Sequence, residues 1–419
     1  MPSHPSRIFV RDLSYFRDRA KGLIAVVADG LPNALEQVRR WHPVHQDASD
    51  AAIQQARFTI EDAQLVYARQ HGYESWPALA RYLRALPATA ADEPFLAVFE
   101  AAQGGDWARA ADVLHAQPDV VHAHGTNGNT LVNLAASLLP CPTRAELDAG
   151  VSRTDRLDAM RLLLDAGASA VAANDRGWTP LHQAAYRNDP EMAALLLERG
   201  ASPHATAHGS GGTPLAVALF WGHQHVVTPL SAAAIVPDNL RIAAGIGRLD
   251  QVHACFMTDG ALTESAMADR DFYRPHSGFP PWHPTRDRQE ILDEALVCAA
   301  KSDRVTVMDT LLTRGAAIDG EPYRGTALIW AAANDRVDSL EWLLDHGADV
   351  NKRTTFGGLT HGNGVTALHL AAQGNKVAAV QCLLGHGADR TITDATYGGT
   401  PRGWAEHAGA SEARVLLSS

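Results

Sequence analysis

The stretch Asp175–Ala201, DRGWTPLHQAAYRNDPEMAALLLERGA, decides the fold of this chain. It begins with a predicted tight turn, because Gly177 can adopt a positive φ that most residues avoid. Thr179–Pro180 predicts the start of one helix and Asp189–Pro190 the start of a second, since a polar cap followed by proline suits a helix N-terminus. Gly200 predicts the end of the second helix in a left-handed conformation. The stretch is therefore a predicted turn followed by a helix pair.

The same pattern recurs along the chain with a period of about 33 residues. A Gly-Ala dipeptide follows the second helix of each predicted pair, and paired leucines precede the glycine at a fixed offset. A period of this length predicts a stack of small helix pairs, each of which buries its apolar face against its neighbours. The dipeptides begin at Gly167, Gly200, Gly260, Gly315, Gly347 and Gly387, and the paired leucines are Leu163/Leu164, Leu196/Leu197, Leu311/Leu312, Leu343/Leu344 and Leu383/Leu384.

The repeated unit resembles the ankyrin repeat. Thr179–His182 matches the signature tetrapeptide of that family, and Thr366–Ala372 matches it with alanine in place of proline. Leu343–Asn351 is similar to the end of the family's second helix and the turn after it. The resemblance implies an all-α ankyrin-repeat solenoid of about eight or nine repeats, some of them degenerate. Asn239–Ala261 is one degenerate repeat, and Pro229 is predicted to break the second helix of the repeat before it.

Residues 1–90 differ from the repeats and predict a helical module. The segment from Asp62 to Trp76 resembles a module found ahead of the repeats in many bacterial ankyrin proteins. We therefore expect an N-terminal module, 1–90, that caps the apolar end of the solenoid, and an ankyrin-repeat domain, 91–419. The helices predicted in the module are Arg7–Asp29, Leu31–Trp41, Ala48–His71 and Ser75–Leu86.

Composition and charge limit the classes of function. No apolar run approaches the roughly 18 residues of a membrane span, and the charged N-terminus does not resemble a signal peptide, which predicts a cytoplasmic protein without a membrane partner. The net charge is −11, and no lysine or arginine run is present, so we expect no nucleic-acid partner. The four cysteines are scattered and predict buried apolar fillers rather than a metal site.

Four insertions give the best indication of function. Ankyrin chains make a short hairpin finger after the Gly-Ala of each repeat, and here that position is enlarged repeatedly. The fingers and the inner helices are expected to form a concave groove, and insertions gathered on one face of a repeat protein usually mark its binding face. The enlarged fingers are 203–212, 262–288, 318–325 and 351–364.

The insertion at 262–288 concentrates aromatic, arginine, histidine and proline residues. Aromatic and arginine side chains are the usual anchors of recognition, and proline reduces the entropy that a loop loses on binding. Two interpretations stay open: a binding site, or a loop that folds back over the degenerate repeat. The predicted binding residues of this insertion and of the same face are Trp178, Phe272, Tyr273, Arg274, His276, Phe279, Trp282, His283, Tyr323, Arg324, Trp330, Phe356 and His361.

Catalytic and metal-binding motifs are absent from the sequence. No histidine or cysteine set has the spacing of a known metal site, and there is no phosphate loop or nucleophile elbow. His182 and His369 occupy the signature tetrapeptide, where we expect structural hydrogen bonds. An acid–base set could be drawn from charged residues near the insertion, but no pattern selects it, and we predict no catalytic residue, metal or cofactor. Its members would be Asp271, His276, His283, Asp287 and Glu294.

The sequence thus predicts a scaffold that binds a protein or peptide partner through its concave groove and finger insertions. The alternative is a small-molecule-binding protein or enzyme with a pocket built around the insertion at 269–288. A closed pocket containing histidine and carboxylate groups of shifted pKa would favour the alternative, whereas an open, hydrated groove would favour the scaffold.

Overall fold

The structure, a computed structural model, is all-helical over the residues it describes, as the sequence predicts. Twenty-three α-helices and two isolated antiparallel bridges occur within this described part. The chain divides into an N-terminal unit, 1–202, and a C-terminal unit, 203–419. The described residues are 13–30, 32–70, 73–85, 94–125, 128–139, 143, 155–174, 177–207, 210–233, 239–271, 284–355 and 362–418.

The N-terminal unit begins with five helices. The single helix predicted over Ala48–His71 is wrong, because the chain leaves the helical conformation at Ala56, whose ψ is 142°. A new helix starts after Thr59, whose backbone N–H and hydroxyl both donate to the Asp62 carboxylate. The five helices are α1 (Leu13–Ala28), α2 (Pro32–Trp41), α3 (Asp50–Gln55), α4 (Ile60–Gln70) and α5 (Trp76–Ala85).

The first four helices pack around one apolar cluster, in which Ala20, Val38, Ile53 and Val66 are fully buried. These residues recur at helical spacing within their elements, so each helix presents one apolar face to the cluster. The boundary predicted at residue 90 lies inside the N-terminal unit and remains a prediction.

The rest of the N-terminal unit consists of helix pairs. Thr130, Thr179 and Asp189 each accept a hydrogen bond from a backbone N–H in the first turn of the following helix, which satisfies groups that have no partner inside the helix. These helices are α6 (Pro94–Gln103), α7 (Trp107–Ala116), α8 (Leu131–Leu138), α9 (Asp155–Asp165), α10 (Pro180–Tyr186) and α11 (Pro190–Glu198).

The C-terminal unit contains six helix pairs. The prediction that Pro229 breaks its helix is wrong, because α13 continues to Ala233. Val226, Val227 and Leu230 are buried around the proline. This packing offsets the loss of the backbone hydrogen bond that proline, which has no N–H group, cannot donate. The helices are α12 (Pro214–Trp221), α13 (Gln224–Ala233), α14 (Leu240–Ile246), α15 (Leu249–Ala254), α16 (Arg288–Ala300), α17 (Val305–Thr313), α18 (Ala327–Ala333), α19 (Val337–Asp345), α20 (Ala367–Gln373), α21 (Val377–Gly385), α22 (Pro401–Ala408) and α23 (Ser411–Leu416).

The paired leucines have unequal roles. In all five pairs the first leucine is buried, whereas the second is half-buried and packs at the edge of the core. The glycine after each pair has a positive φ, as the predicted left-handed helix end requires. These φ angles are 98° at Gly167, 85° at Gly200, 97° at Gly315, 88° at Gly347 and 82° at Gly387.

The fingers of consecutive repeats in the C-terminal unit hydrogen-bond to one another. In the residues that the structure describes, each of these fingers supplies acceptors for the backbone of the next, while the placement of all four insertions on one face remains a prediction. The Thr354 N–H also donates to the Val365 carbonyl at 2.9 Å, which closes the base of the second of these fingers. The finger pairs are Asp349 with Asp319, Thr355 with Glu321, Asp389 with Asn351, and Ala395 with Asn363.

The unequal burial of Leu343 and Leu344 predicts different costs of truncation. Leu343→Ala should lower the free energy of unfolding by about 2–5 kcal/mol, because it removes a fully buried side chain and leaves a cavity. Leu344→Ala should cost clearly less, since its side chain is half-buried. Urea unfolding followed by circular dichroism measures both, and equal losses would contradict this register.

Gly387 and Gly385 form a matched pair for testing the helix end. A Cβ at either position would meet nothing within 4 Å, but only Gly387 has a left-handed φ. Gly387→Ala should therefore destabilise the protein by about 1–2 kcal/mol. Gly385→Ala should stabilise it by up to about 1 kcal/mol, because alanine loses less backbone entropy in a helix. Thermal unfolding of the two variants tests this; effects of the same sign would refute the assignment.

Candidate functional site

A cavity lies in the C-terminal unit among the first helices of three successive pairs, α12, α14 and α16, and beside the turn at Pro322–Tyr323. We call it the inner cavity. It is on the side where the sequence predicts a binding face. Its volume is about 40 Å³, which holds a few water molecules or one narrow chemical group.

The C-terminal end of helix α12 contacts α18 and the arginine that follows it. The Phe220 ring meets the Trp330 ring of α18 edge to face, with 5.7 Å between the centroids. The Arg336 guanidinium also donates to the Gly222 carbonyl at 2.7 Å. The first helix of one pair thus contacts the first helix three pairs later.

Lys301 follows α16 and is the most unusual residue of the cavity lining. Its side chain is buried, with 3% of the residue exposed, and its ammonium lies 3.6 Å from the Trp330 ring centroid and 4.4 Å from that of Phe220. The same ammonium donates a hydrogen bond to the Phe220 carbonyl at 2.9 Å. Among the described residues no carboxylate forms an ion pair with Lys301, so two ring faces and one carbonyl replace its hydration.

Burial lowers the pKa of Lys301 to about 7. The positive charges of Arg324 and Arg241 act in the same direction, whereas Cys298 and Glu294 oppose it. Burial also raises the pKa of the neighbouring Cys298 thiol. The amine therefore exchanges between charged and neutral forms near neutral pH, while the thiol stays protonated there.

A buried ion-pair network borders the cavity. The Glu294 carboxylate accepts from Arg241 at 2.9 Å and from Arg270 at 2.6 Å, and Arg270 also reaches Glu290 at 2.7 Å. Removing one partner from such a network leaves a buried charge uncompensated, which is strongly destabilising. Glu294 is therefore held by two arginines and is not free to act as an acid or base.

The first part of the 262–288 insertion folds over the degenerate repeat. Leu262 and Ala266 are buried in the core, and Leu262 forms an antiparallel bridge with Phe256. The Arg241 guanidinium donates to the Asp269 carbonyl at 2.9 Å, which ties the insertion to α14. Residues 262–270 thus have the structural role that one of the two interpretations predicts.

The structure brings three of the predicted binding residues together. Tyr323 lines the inner cavity, and the buried Arg324 guanidinium lies 5.7 Å from the ring centroid of the buried Trp330. Trp178 belongs to the N-terminal unit and is buried, with its ring centroid 5.7 Å from that of His182. A binding role for all of them remains a prediction. Outside the described residues lie Phe272, Tyr273, Arg274, His276, Phe279, Trp282, His283, Phe356 and His361.

Among the residues that the structure describes, the members of the acid–base set named from the sequence do not come together in one site. Asp271 is exposed, Asp287 accepts from the Glu290 N–H at the start of α16, and Glu294 lies in the ion-pair network. His276 and His283 lie outside the described residues. Within the described part of the chain, no group of His, Cys, Asp and Glu is arranged to hold a metal ion.

The histidines of the signature tetrapeptides make the structural hydrogen bonds expected of them. The N–H groups of Thr179 and Thr366 donate to Nδ1 of His182 and His369 respectively, each at 3.2 Å. His369 also donates through Nε2 to the Gly399 carbonyl at 3.1 Å. Burial lowers the pKa of His369, so the neutral ring is the form that the fold holds.

Sequence reasoning missed Lys301, Phe220 and Arg241. One signal was present: Arg241 is a charged residue inside a short helix that is otherwise apolar, and Lys301 follows the apolar run ALVCAA. A charged residue on a helix face that must be buried needs a partner, and so marks a polar site inside the core. The contact between Phe220 and Trp330 gave no such signal.

The lowered pKa of Lys301 predicts a pH-dependent stability. Between pH 7 and 10.5 the unfolded chain holds a proton that the folded amine has lost, so the free energy of unfolding rises with pH. Relative to Lys301→Met, the natural protein should gain about 2 kcal/mol from pH 7 to pH 9. Denaturant unfolding at each pH measures this. Lys21→Met, at an exposed lysine, should show no such trend, and a constant difference for Lys301→Met would contradict the assignment.

No helix in the described part of the chain is both long and apolar enough to cross a membrane. A family model described as ankyrin repeats (3 copies) matches residues 149–238 and 284–354, and one described as ankyrin repeats (many copies) matches 328–384. The bacterial origin and the N-terminal module inferred from the sequence remain predictions.

Several curated proteins resemble parts of the chain. Human ankyrin repeat and SOCS box protein 16 is 38% identical over 118 residues, which is 28% of this chain and 25% of that protein. Human NAD-capped RNA hydrolase NUDT12 is 37% identical over 60 residues, 14% of this chain and 13% of its own length. Protein PhlB of Serratia liquefaciens is 39% identical over 67 residues, 16% of this chain and 30% of its own. Each match spans less than a third of the relative, and together with the family models and the stacked helix pairs they show that this all-α chain carries ankyrin repeats.

Proposed function

We propose that this chain is a binding scaffold that captures a protein or peptide partner on the side of the C-terminal unit where first helices and fingers meet. The inner cavity would receive one side chain or one terminal group of that partner. Ankyrin repeats are a protein-interaction architecture, and repeat proteins bind through extended surfaces of stacked units. The cavity is the observation that supports the proposal, because the first helices of three successive pairs line it together with Tyr323.

The size of the cavity supports a partner that reaches in from outside. Pockets for whole small molecules usually span about 300–1,000 Å³. The inner cavity, at about 40 Å³, takes one chemical group, so most of a ligand's contacts would lie on the surrounding helices and fingers. A half-buried tyrosine at the rim is the kind of rigid anchor that interfaces use.

The composition of the chain supports a localisation and a class of partner. We propose a cytoplasmic protein whose partner is neither nucleic acid nor membrane, since the net charge is −11 and no basic stripe is present. The residues of the 272–283 segment stay candidates for partner contact on their aromatic and arginine content.

A small-molecule ligand is the second candidate, and one observation favours it. Charged groups are buried in its lining: Arg241, Glu294 and Lys301 all border the inner cavity and are each less than 10% exposed. Cys298 and Lys301, whose pKa values are shifted by burial, also line the cavity, and groups of shifted pKa cluster at functional sites. In this case a screen of metabolites by thermal shift should give a hit that is lost in Lys301→Met.

Peptide selection tests the proposed scaffold. Peptides selected from a displayed random library on the whole protein should lose affinity by about 2 kcal/mol in Tyr323→Ala, because a rigid aromatic anchor is removed. Titration calorimetry measures this, with thermal unfolding as the check on stability. Tyr15→Ala removes a half-buried tyrosine from the N-terminal unit and serves as the matched control. If every selected peptide bound Tyr323→Ala as tightly as the natural protein, the cavity would not be the centre of recognition.

A further inference from the structure

We propose that the inner cavity binds a carboxylate carried on a short apolar stem, with the Lys301 ammonium as its counter-ion. The proposal rests on the proposed function in taking the cavity as the binding site, and it adds the chemistry of the group bound there.

The walls of the cavity define the stem. Leu219 comes from α12, Ile242 from α14 and Val297 from α16, so three helices contribute aliphatic side chains. Such walls favour a few methylene or methyl groups, because apolar surface gains free energy when it leaves water. The volume of about 40 Å³ excludes a large ring system.

The charge distribution defines the head group. Lys301 lines the cavity, is buried, and forms no ion pair with a carboxylate in the part of the chain that the structure describes. Ring faces and one carbonyl stabilise a buried ammonium less than a carboxylate would. The carboxylate nearest to it in the lining, that of Glu294, is already shared by Arg241 and Arg270. An incoming carboxylate would therefore supply the missing counter-charge.

A carboxylate fits this lining better than a phosphate. A phosphate carries a larger charge and several oxygens, which proteins usually bind with more than one cation or with a row of backbone N–H groups. Here Arg241 is committed to Glu294 and to the Asp269 carbonyl, and Glu294 would repel a dianion. One ammonium above an aliphatic wall suits a single negative charge.

Binding of this kind depends on the protonation of Lys301. Facing the amine are the Phe220 carbonyl from α12, Arg241 from α14, Glu294 and Cys298 from α16, Arg324 from the turn, and the Trp330 ring from α18. The free amine has a pKa near 7, and a bound carboxylate favours its charged form. Binding should therefore take up a proton near neutral pH and weaken as the pH rises from 7 to 9.

The test uses the full-length protein, with butanoate and its neutral isostere butanamide as probes. Butanoate should bind at least about tenfold more tightly than butanamide at pH 7, as expected for a charge-assisted hydrogen bond. Calorimetry in two buffers of different ionisation enthalpy should show the proton uptake. Lys301→Met should lose this preference, whereas Lys21→Met, at an exposed lysine of the N-terminal unit, should keep it.

A second variant keeps the test decisive if Lys301→Met fails to fold. Ala216→Val narrows the cavity from α12 and retains the lysine, so it should weaken butanoate binding, and circular dichroism checks that the variant is folded at the temperature of the titration. Equal affinity for butanoate and butanamide, or butanoate binding that is indifferent to both cavity variants, would overturn the proposal.

Peptides show whether the carboxylate comes from the C-terminus of a partner or from a free small acid. They also distinguish the carboxylate inference from the scaffold proposal. A heptapeptide that ends in leucine with a free carboxylate, compared with its C-terminal amide, tests a partner terminus. Preference for the acid that Lys301→Met abolishes supports the proposal with a peptide as source. Binding of butanoate but not of the peptide supports it with a free small acid as source, and then the scaffold proposal fails. If selected peptides bind through Tyr323 but no ligand shows a preference for acid over amide, the scaffold stands and the carboxylate inference falls.

Discussion

Close packing of alanine-rich first helices is the constraint on which the C-terminal unit depends. Ala243, Ala295 and Ala331 are fully buried where α14, α16 and α18 pack side by side, and their small side chains let the helices approach closely. The packing between α12 and α14 is tight at Gly245, because a Cβ there would lie 2.9 Å from the Leu219 side chain. The approach brings α12 within reach of α18, and the inner cavity lies among α12, α14 and α16 beside the turn at Pro322–Tyr323.

Polar groups hold this arrangement in register. The Lys301 ammonium and the Arg336 guanidinium both bind carbonyls at the C-terminal end of α12, those of Phe220 and Gly222. Carbonyls at a helix end have no partner within the helix, so a buried end needs donors of this kind. Lys301 therefore has a structural role as well as the proposed binding role.

Local rules predicted much of the fold, and their failures are instructive. Threonine caps, paired leucines and left-handed glycines are short-range signals, so Thr179, Leu343 and Gly347 could be placed from sequence alone. The break after Ala56 was missed because Thr59 and Asp62 form a cap inside a sequence with helical periodicity. Tyr323, Arg324 and Trp330 lie close together, since the Arg324 guanidinium is within 6 Å of both ring centroids. The cavity itself could not be predicted, because its lining brings together residues from Ala216 to Tyr323, more than a hundred positions apart, which no local pattern encodes.

Hydrogen bonds among Arg270, Thr285 and Glu290 join the two ends of the segment between Arg270 and Thr285. Arg270 binds Glu290 and the Thr285 carbonyl, and the Thr285 hydroxyl and N–H bind the Glu290 carboxylate, so the two ends of the segment between them are fastened together on α16. Closing a longer loop between fixed ends costs only about 0.6 kcal/mol for each doubling of its length. Residues 272–283 therefore form a natural graft site, at which sequence and length can change by substitution or insertion while the helices beneath keep their positions.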